Sequence, residues 1–222
     1  MKFSTFLLRR DVAIAFRSGG GWFYAVFFFA VFTALAAIAF GPALSALAIA
    51  APAAIWLAAA LAIQFAAADL FETDFTDGSL RVIAAEQQSL FPYWLAKALL
   101  LSLIAALPLI FAAPFFLTML GVPFGAGVGV SLVLLVGAPA LIFVAVLTAA
   151  LSTGLRTGGL LASILAAPFA APVLVFGVSA AKAYLAGGVL ISPELLILGA
   201  LSLFMAAVTP PFVIAALRVS LE

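Results

Sequence analysis

The chain has 222 residues, 68% of them hydrophobic and 8% charged, with a net charge of +1 and a mean hydropathy of +1.41. A water-soluble domain carries about 25% charged residues and under half apolar ones, so this composition places the chain in a lipid bilayer. The absence of cysteine excludes disulfides, thiolate metal sites and thiol redox chemistry, and the absence of histidine removes the usual haem ligand and the usual proton shuttle of neutral pH. Nine basic residues are too few and too scattered to follow a phosphate backbone, which argues against a nucleic-acid partner.

Residues 1–21 form a basic leader in which Phe3, Leu7 and Ile14 share a helical side that Arg10 interrupts. This pattern fits an interfacial segment lying on the membrane, its basic residues against anionic lipid heads, or a flexible basic leader. No cleavable signal peptide is expected, because the first apolar run continues into a full span. Gly19, Gly20 and Gly21 then turn the chain into the bilayer.

Uncharged runs count the membrane crossings, since each helical crossing needs about 20 apolar residues. Trp22–Ala68 holds 47 residues without a charge, enough for two spans that turn at Gly41 and Pro42. Ala98–Leu155 holds 58, enough for two more with a turn in the glycine-rich Gly121–Gly129. Thr157–Ala181 and Leu195–Leu217 supply one each. The expected fold is an all-α integral membrane protein forming a single permease domain over residues 1–222. Its spans lie near 22–40, 43–68, 93–120, 129–152, 159–181 and 195–217. Pro168 and Pro172, four apart in APFAAPVLVFG, are expected to bend the fifth span.

Lys and Arg placement sets the orientation. With the N-terminus inside, Lys2, Arg9, Arg10, Arg17, Arg81, Lys97, Arg156 and Arg218 are all cytoplasmic, leaving Lys182 alone outside. Both ends therefore face the cytoplasm, as does the acidic stretch Asp69–Lys97, which carries seven of the chain's 17 formal charges.

No Asp, Glu, Lys, Arg or His is expected within a span to couple an ion flow. None of Lys2, Lys97 and Lys182 sits in the glycine-rich context of a nucleotide-binding loop. Gln64, the most polar side chain within a span, is expected to bond a neighbouring helix. No enzymatic constellation is present, so any energy must come from outside the chain. The 69–92 loop is then the place for a separate ATPase to push. The second span can run on past the membrane through Asp69–Asp77 and end at Gly78, a residue suited to a left-handed break. Ser79 is suited to capping a short helix from Leu80 to about Gln87, and Leu80 and Ile83 to one face of it. Phe71, Asp74, Phe75, Asp77, Gly78, Ser79, Leu80 and Ile83 make up the expected coupling surface, with the aliphatic pair seated in the partner and the acids at the rim. A solvated loop that only anchors topology fits the same composition.

Four stretches together resemble the CcmB family, the haem exporter protein B membrane subunits of cytochrome c maturation. They are RRDVAIAFRSGGG (Arg9–Gly21), DLFETDFTDGSL (Asp69–Leu80), GLRTGGLL (Gly154–Leu161) and APFAAPVLVFG (Ala167–Gly177), in the family's order and spacing. After DGSL the family commonly continues Glu-Gln-Leu, whereas this chain has Arg81, Val82 and Ile83, so no acidic contact at position 81 carries over. The resemblance implies an ABC-type complex in the bacterial inner membrane. In it a cytoplasmic ATPase subunit, CcmA, binds ATP, CcmC and CcmD handle haem, and hydrolysis releases the haem-loaded periplasmic chaperone CcmE. The chain itself is expected to bind no cofactor. Two other readings share the six-span plan: a general ABC-2-type exporter permease for a lipid, sugar or drug, and a membrane scaffold with no coupled motion.

Overall fold

The computed structural model describes residues 7–13, 21–41, 43–86, 89–155 and 158–221. The rest of the leader (1–6 and 14–20, including Gly19 and Gly20), Pro42, Gln87, and Arg156 and Thr157 of the GLRTGGLL stretch lie outside the described residues. All regular structure among the described residues is helical. Residues 7–13 are helical (α1), followed by α2 (Gly21–Phe40) and α3 (Leu44–Ala66). Two short helices come next, α4 (Glu72–Thr76) and α5 (Ser79–Glu86). The third long helix is built from α6 (Phe91–Leu101), a π-helical segment (Ser102–Ala106) and α7 (Leu107–Met119). It is followed by α8 (Phe124–Ser152), α9 (Gly158–Gly187) and α10 (Pro193–Val219). Six helices are long and apolar enough to cross a membrane. The chain is a multi-pass membrane protein.

Helix α8 is the centre of the bundle, packed by α3, α7, α9 and α10, and 72% of its most apolar window is buried against 17% for α2. Lipid is as apolar as leucine, so helices gain from close approach rather than from hydrophobicity. The glycines supply that approach. Gly137 of α8 and Gly177 of α9 leave room for the fully buried Trp56 of α3, and a Cβ on Gly177 would lie 2.6 Å from its ring. Gly129 does the same for the Tyr184 ring. The glycine-rich Gly121–Gly129 is therefore only partly a turn. Helix α8 already begins at Phe124, after Pro123, and Gly127 and Gly129 are packing positions within it.

The bundle is tied by side chains as well. Gln64 donates to the Thr148 hydroxyl (2.8 Å) and Ser202 to the Val136 carbonyl (2.8 Å), linking α3 and α10 to α8. The π-helical turn in the third span precedes Pro108, which has no N–H to give and whose ring crowds the carbonyl four residues back. The turn widens there, with the Leu107 N–H reaching the Ser102 carbonyl. Pro168 and Pro172 both lie inside the continuous α9.

Two expectations change at the end of the bundle that carries α4 and α5. Helix α3 does not run on through Asp69–Asp77; it stops at Ala66, the chain turns over 67–71, and α4 is a separate helix. A charged residue does lie within a span, because Lys97 is inside α6, in the crossing Phe91–Met119, and is buried.

Candidate functional site: a helical hairpin on a buried ionic hub

The α4–α5 hairpin follows from its sequence. Gly78 sits at φ +79°, the left-handed conformation that only glycine adopts without strain, so the chain breaks there. The cap of α5 is Asp77 and not Ser79: Asp77 Oδ1 accepts from the Ser79 N–H at 2.8 Å. The Ser79 hydroxyl is thereby free to turn inward, where it donates to Asp74 Oδ1 at 3.1 Å.

Asp74 is only 4% exposed and gathers four partners. Arg10 Nη2 approaches Oδ1 at 2.9 Å, Lys97 Nζ approaches Oδ2 at 2.7 Å, and the Tyr93 hydroxyl donates to Oδ2 at 2.7 Å, with Ser79 as the fourth. Asp11 closes the ring, accepting from Arg10 Nε at 2.7 Å and facing Lys97 Nζ at 2.9 Å. Two cations and two carboxylates thus form a neutral hub that joins α1, α4 and α6. Burial alone would raise the Asp74 pKa; the Lys97 charge, with bonds from Lys97 and Tyr93 and the charge of Arg10, outweighs it and holds the carboxyl below its ordinary 3.8.

A second contact reaches the α8–α9 turn. Glu72 Oε2 accepts from the Gly154 N–H at 2.9 Å, and the Phe75 ring covers Gly154, which has φ +77°. Among the described residues no group of three or more His, Cys, Asp or Glu is placed to hold a metal ion.

The residues expected to meet a partner divide into three sets, buried, half-buried and exposed. Phe71, packed on the Tyr93 ring (5.8 Å), and Asp74, Leu80 and Ile83 are buried in this chain. Leu80, at 0% exposure, cannot seat in a groove on another protein, and Asp74 is not at a rim. Phe75 is half-buried on Gly154, and Gly78 and Ser79 are half-buried at the break. The open face is made of Asp69, Thr73, Thr76, Asp77, Arg81, Val82, Ala85 and Glu86, with Val82 56% exposed. The α5 stripe is amphipathic as expected, but its apolar side covers the chain's own core.

Arg10, Asp11, Glu72, Tyr93, Lys97 and Gly154 are absent from the sequence-based selection. Two signals pointed toward them. Arg10 interrupts the apolar side of the leader, and Lys97 stands directly before a run of 58 uncharged residues, where a charge needs partners.

Comparisons with known proteins cover the whole chain. The family model described as "CcmB protein" matches residues 1–220. Heme exporter protein B of Bradyrhizobium diazoefficiens is 41% identical over 216 residues, spanning 97% of each chain. Heme exporter protein B of Rhodobacter capsulatus is 36% identical, over 97% of this chain and 99% of the relative, and that of Pseudomonas aeruginosa is 35% identical over 96% of each. A six-span helical bundle with this hairpin, matched from end to end, belongs to the CcmB family.

Proposed function

We propose that this protein is the permease-like membrane subunit of an ABC-type haem-export complex of cytochrome c biogenesis, converting ATP hydrolysis on a separate subunit into release of a haem-loaded chaperone. The name of its relatives, Heme exporter protein B, supports the haem assignment. The observation that carries the coupling role is the α4–α5 hairpin, whose inner face is locked to α1, α6 and the α8–α9 turn while its outer face is open. A rigid mount with a free outer surface suits a part that receives a push from a soluble partner. That partner is the ATPase subunit CcmA, seated on Arg81, Val82, Ala85 and Glu86. On this reading the hairpin faces the cytoplasm, both ends of the chain are cytoplasmic, and the protein sits in the bacterial inner membrane. CcmC and CcmD assemble alongside, with the exposed face of α9 around Ala167, Pro168 and Phe169 as their docking side, and CcmE is the chaperone released. ATP stays on CcmA, and haem is cargo of the complex.

Val82→Asp and Leu80→Asp test this directly. Val82 faces outward, so its exchange should change stability by no more than about 0.5 kcal/mol while the ATPase no longer co-purifies. Leu80 is fully enclosed, and an unpaired carboxylate there should cost several kcal/mol and remove the protein from the membrane altogether. Retention of the ATPase and full cytochrome c maturation with Val82→Asp would end the proposal.

A further inference from the structure

The hairpin could in principle hang from α3 alone, through the turn at 67–71. It does not, and the way it is held assigns a role that the outer face lacks. Asp74 is bonded at once to α1 through Arg10, to α5 through Ser79, and to the start of the third span through Tyr93 and Lys97. Asp11 and Lys97 complete the ring from the other side, at 2.9 Å. Each cation touches both carboxylates, and Asp74 and Lys97 have side chains only 5% and 7% exposed. Water scarcely reaches Asp11, Asp74 and Lys97, while the Arg10 side chain keeps 30% of its surface exposed, so an element that leaves the hub strands a buried charge on at least one side. The cheap motion is one in which α1, α4–α5 and α6 move together. About two and a half helical turns beyond Tyr93, α6 passes into the π-helical segment Ser102–Ala106, where the third span changes its winding. On the opposite side, Glu72 and Phe75 carry the same element onto Gly154 between α8 and α9.

We propose that Asp74 is the positioning residue of the coupling element, making α1, the α4–α5 hairpin and the first turns of the third span a single moving body. This rests on the reading of the hairpin as the ATPase-driven part. The ATPase is held by the outer face; Asp74 determines whether its push reaches the third span.

The chain has no cysteine, so one introduced thiol reports cleanly. Leu7, 3% exposed on α1, takes the reporter Leu7→Cys in the complex purified with its ATPase. Three backgrounds are compared: Asp74→Asn, Tyr93→Phe, and the charge-balanced pair Asp74→Asn with Lys97→Met. Two quantities are read, the rate at which a maleimide labels the thiol and the cytochrome c matured per ATP hydrolysed. The parent should label slowly. The charge-balanced pair should accumulate at the parental level, label at least tenfold faster and mature several-fold less cytochrome per ATP. Tyr93→Phe should move both readings in the same direction by a smaller factor. If Asp74→Asn alone fails to accumulate, the pair decides. A pair that keeps the thiol protected and the yield per ATP at the parental value overturns the proposal, because a purely structural ion pair is replaceable without loss. Val82→Asp separates the two readings. Loss of the ATPase there with parental labelling supports the outer-face assignment only, whereas parental maturation there ends that assignment and leaves the labelling result to stand or fall alone.

Discussion

Lys97 Nζ lies 2.7 Å from Asp74 Oδ2, and the two side chains are 7% and 5% exposed. One belongs to the third long helix and the other to a five-residue helix that precedes it. A buried ion pair is a poor source of net stability, because desolvation of both charges cancels most of their attraction. Its effect is on specificity: each charge accepts only an arrangement in which its partners are present. Here that fixes where α4 sits relative to α1 and α6.

Removing one cation should be far worse than weakening a surface contact. Lys97→Met leaves Asp11 and Asp74 sharing Arg10 alone, and breaking a buried pair in this way costs about 3–5 kcal/mol. Thermal unfolding of the detergent-solubilised protein should show a large loss of midpoint. The pair Lys97→Met with Asp74→Asn should recover much of it.

Acid sensitivity follows from the same carboxyl. The folded-state pKa of Asp74 is depressed below 3.8, so its contribution is fully present above the unfolded value and is lost as pH falls through the folded one. Unfolding midpoints should therefore not respond to Asp74 between neutral pH and about pH 5, and its loss should appear only below the ordinary carboxylate range. Asp74→Asn should flatten that acid limb. A midpoint that falls between pH 7 and pH 5 in the parent and not in the variant would contradict the assigned shift.

Gly154→Val combines two faults. The backbone there is left-handed at φ +77°, which costs a residue with a Cβ about 1–2 kcal/mol, and the new Cβ would lie 2.9 Å from the Phe75 ring. Adding Phe75→Ala should relieve the contact and leave the backbone strain. Unfolding measurements on the single and double variants should therefore differ, with neither returning to the parent.

Orientation is open to direct labelling in a chain without cysteine. Gly125→Cys and Gly188→Cys, beside the α7–α8 and α9–α10 turns, should react with an impermeant maleimide added to intact spheroplasts. Arg81→Cys should react only after permeabilisation. Labelling of position 81 from outside would invert the topology and remove the coupling role.

Hydropathy is a local property, so the six long helices were legible in the sequence without any knowledge of packing. The break at Gly78 was legible too, because a left-handed turn is a requirement on one residue, and its φ of +79° meets it. The apolar face of α5 was visible from Leu80 and Ile83, yet its destination was not. An amphipathic stripe says that a face must be covered; it does not say whether the cover is a partner or the chain's own core. Tertiary structure decided that, enclosing Leu80 completely and turning Val82 outward. It also decided the fate of the charges. Arg10 and Asp74 are 64 positions apart, and each alone reads as a solvated group near a membrane surface. Only when α1 and α6 are brought against α4 is Asp74 cut off from water and its screening. At that point a scatter of single charges becomes a hub whose members need one another.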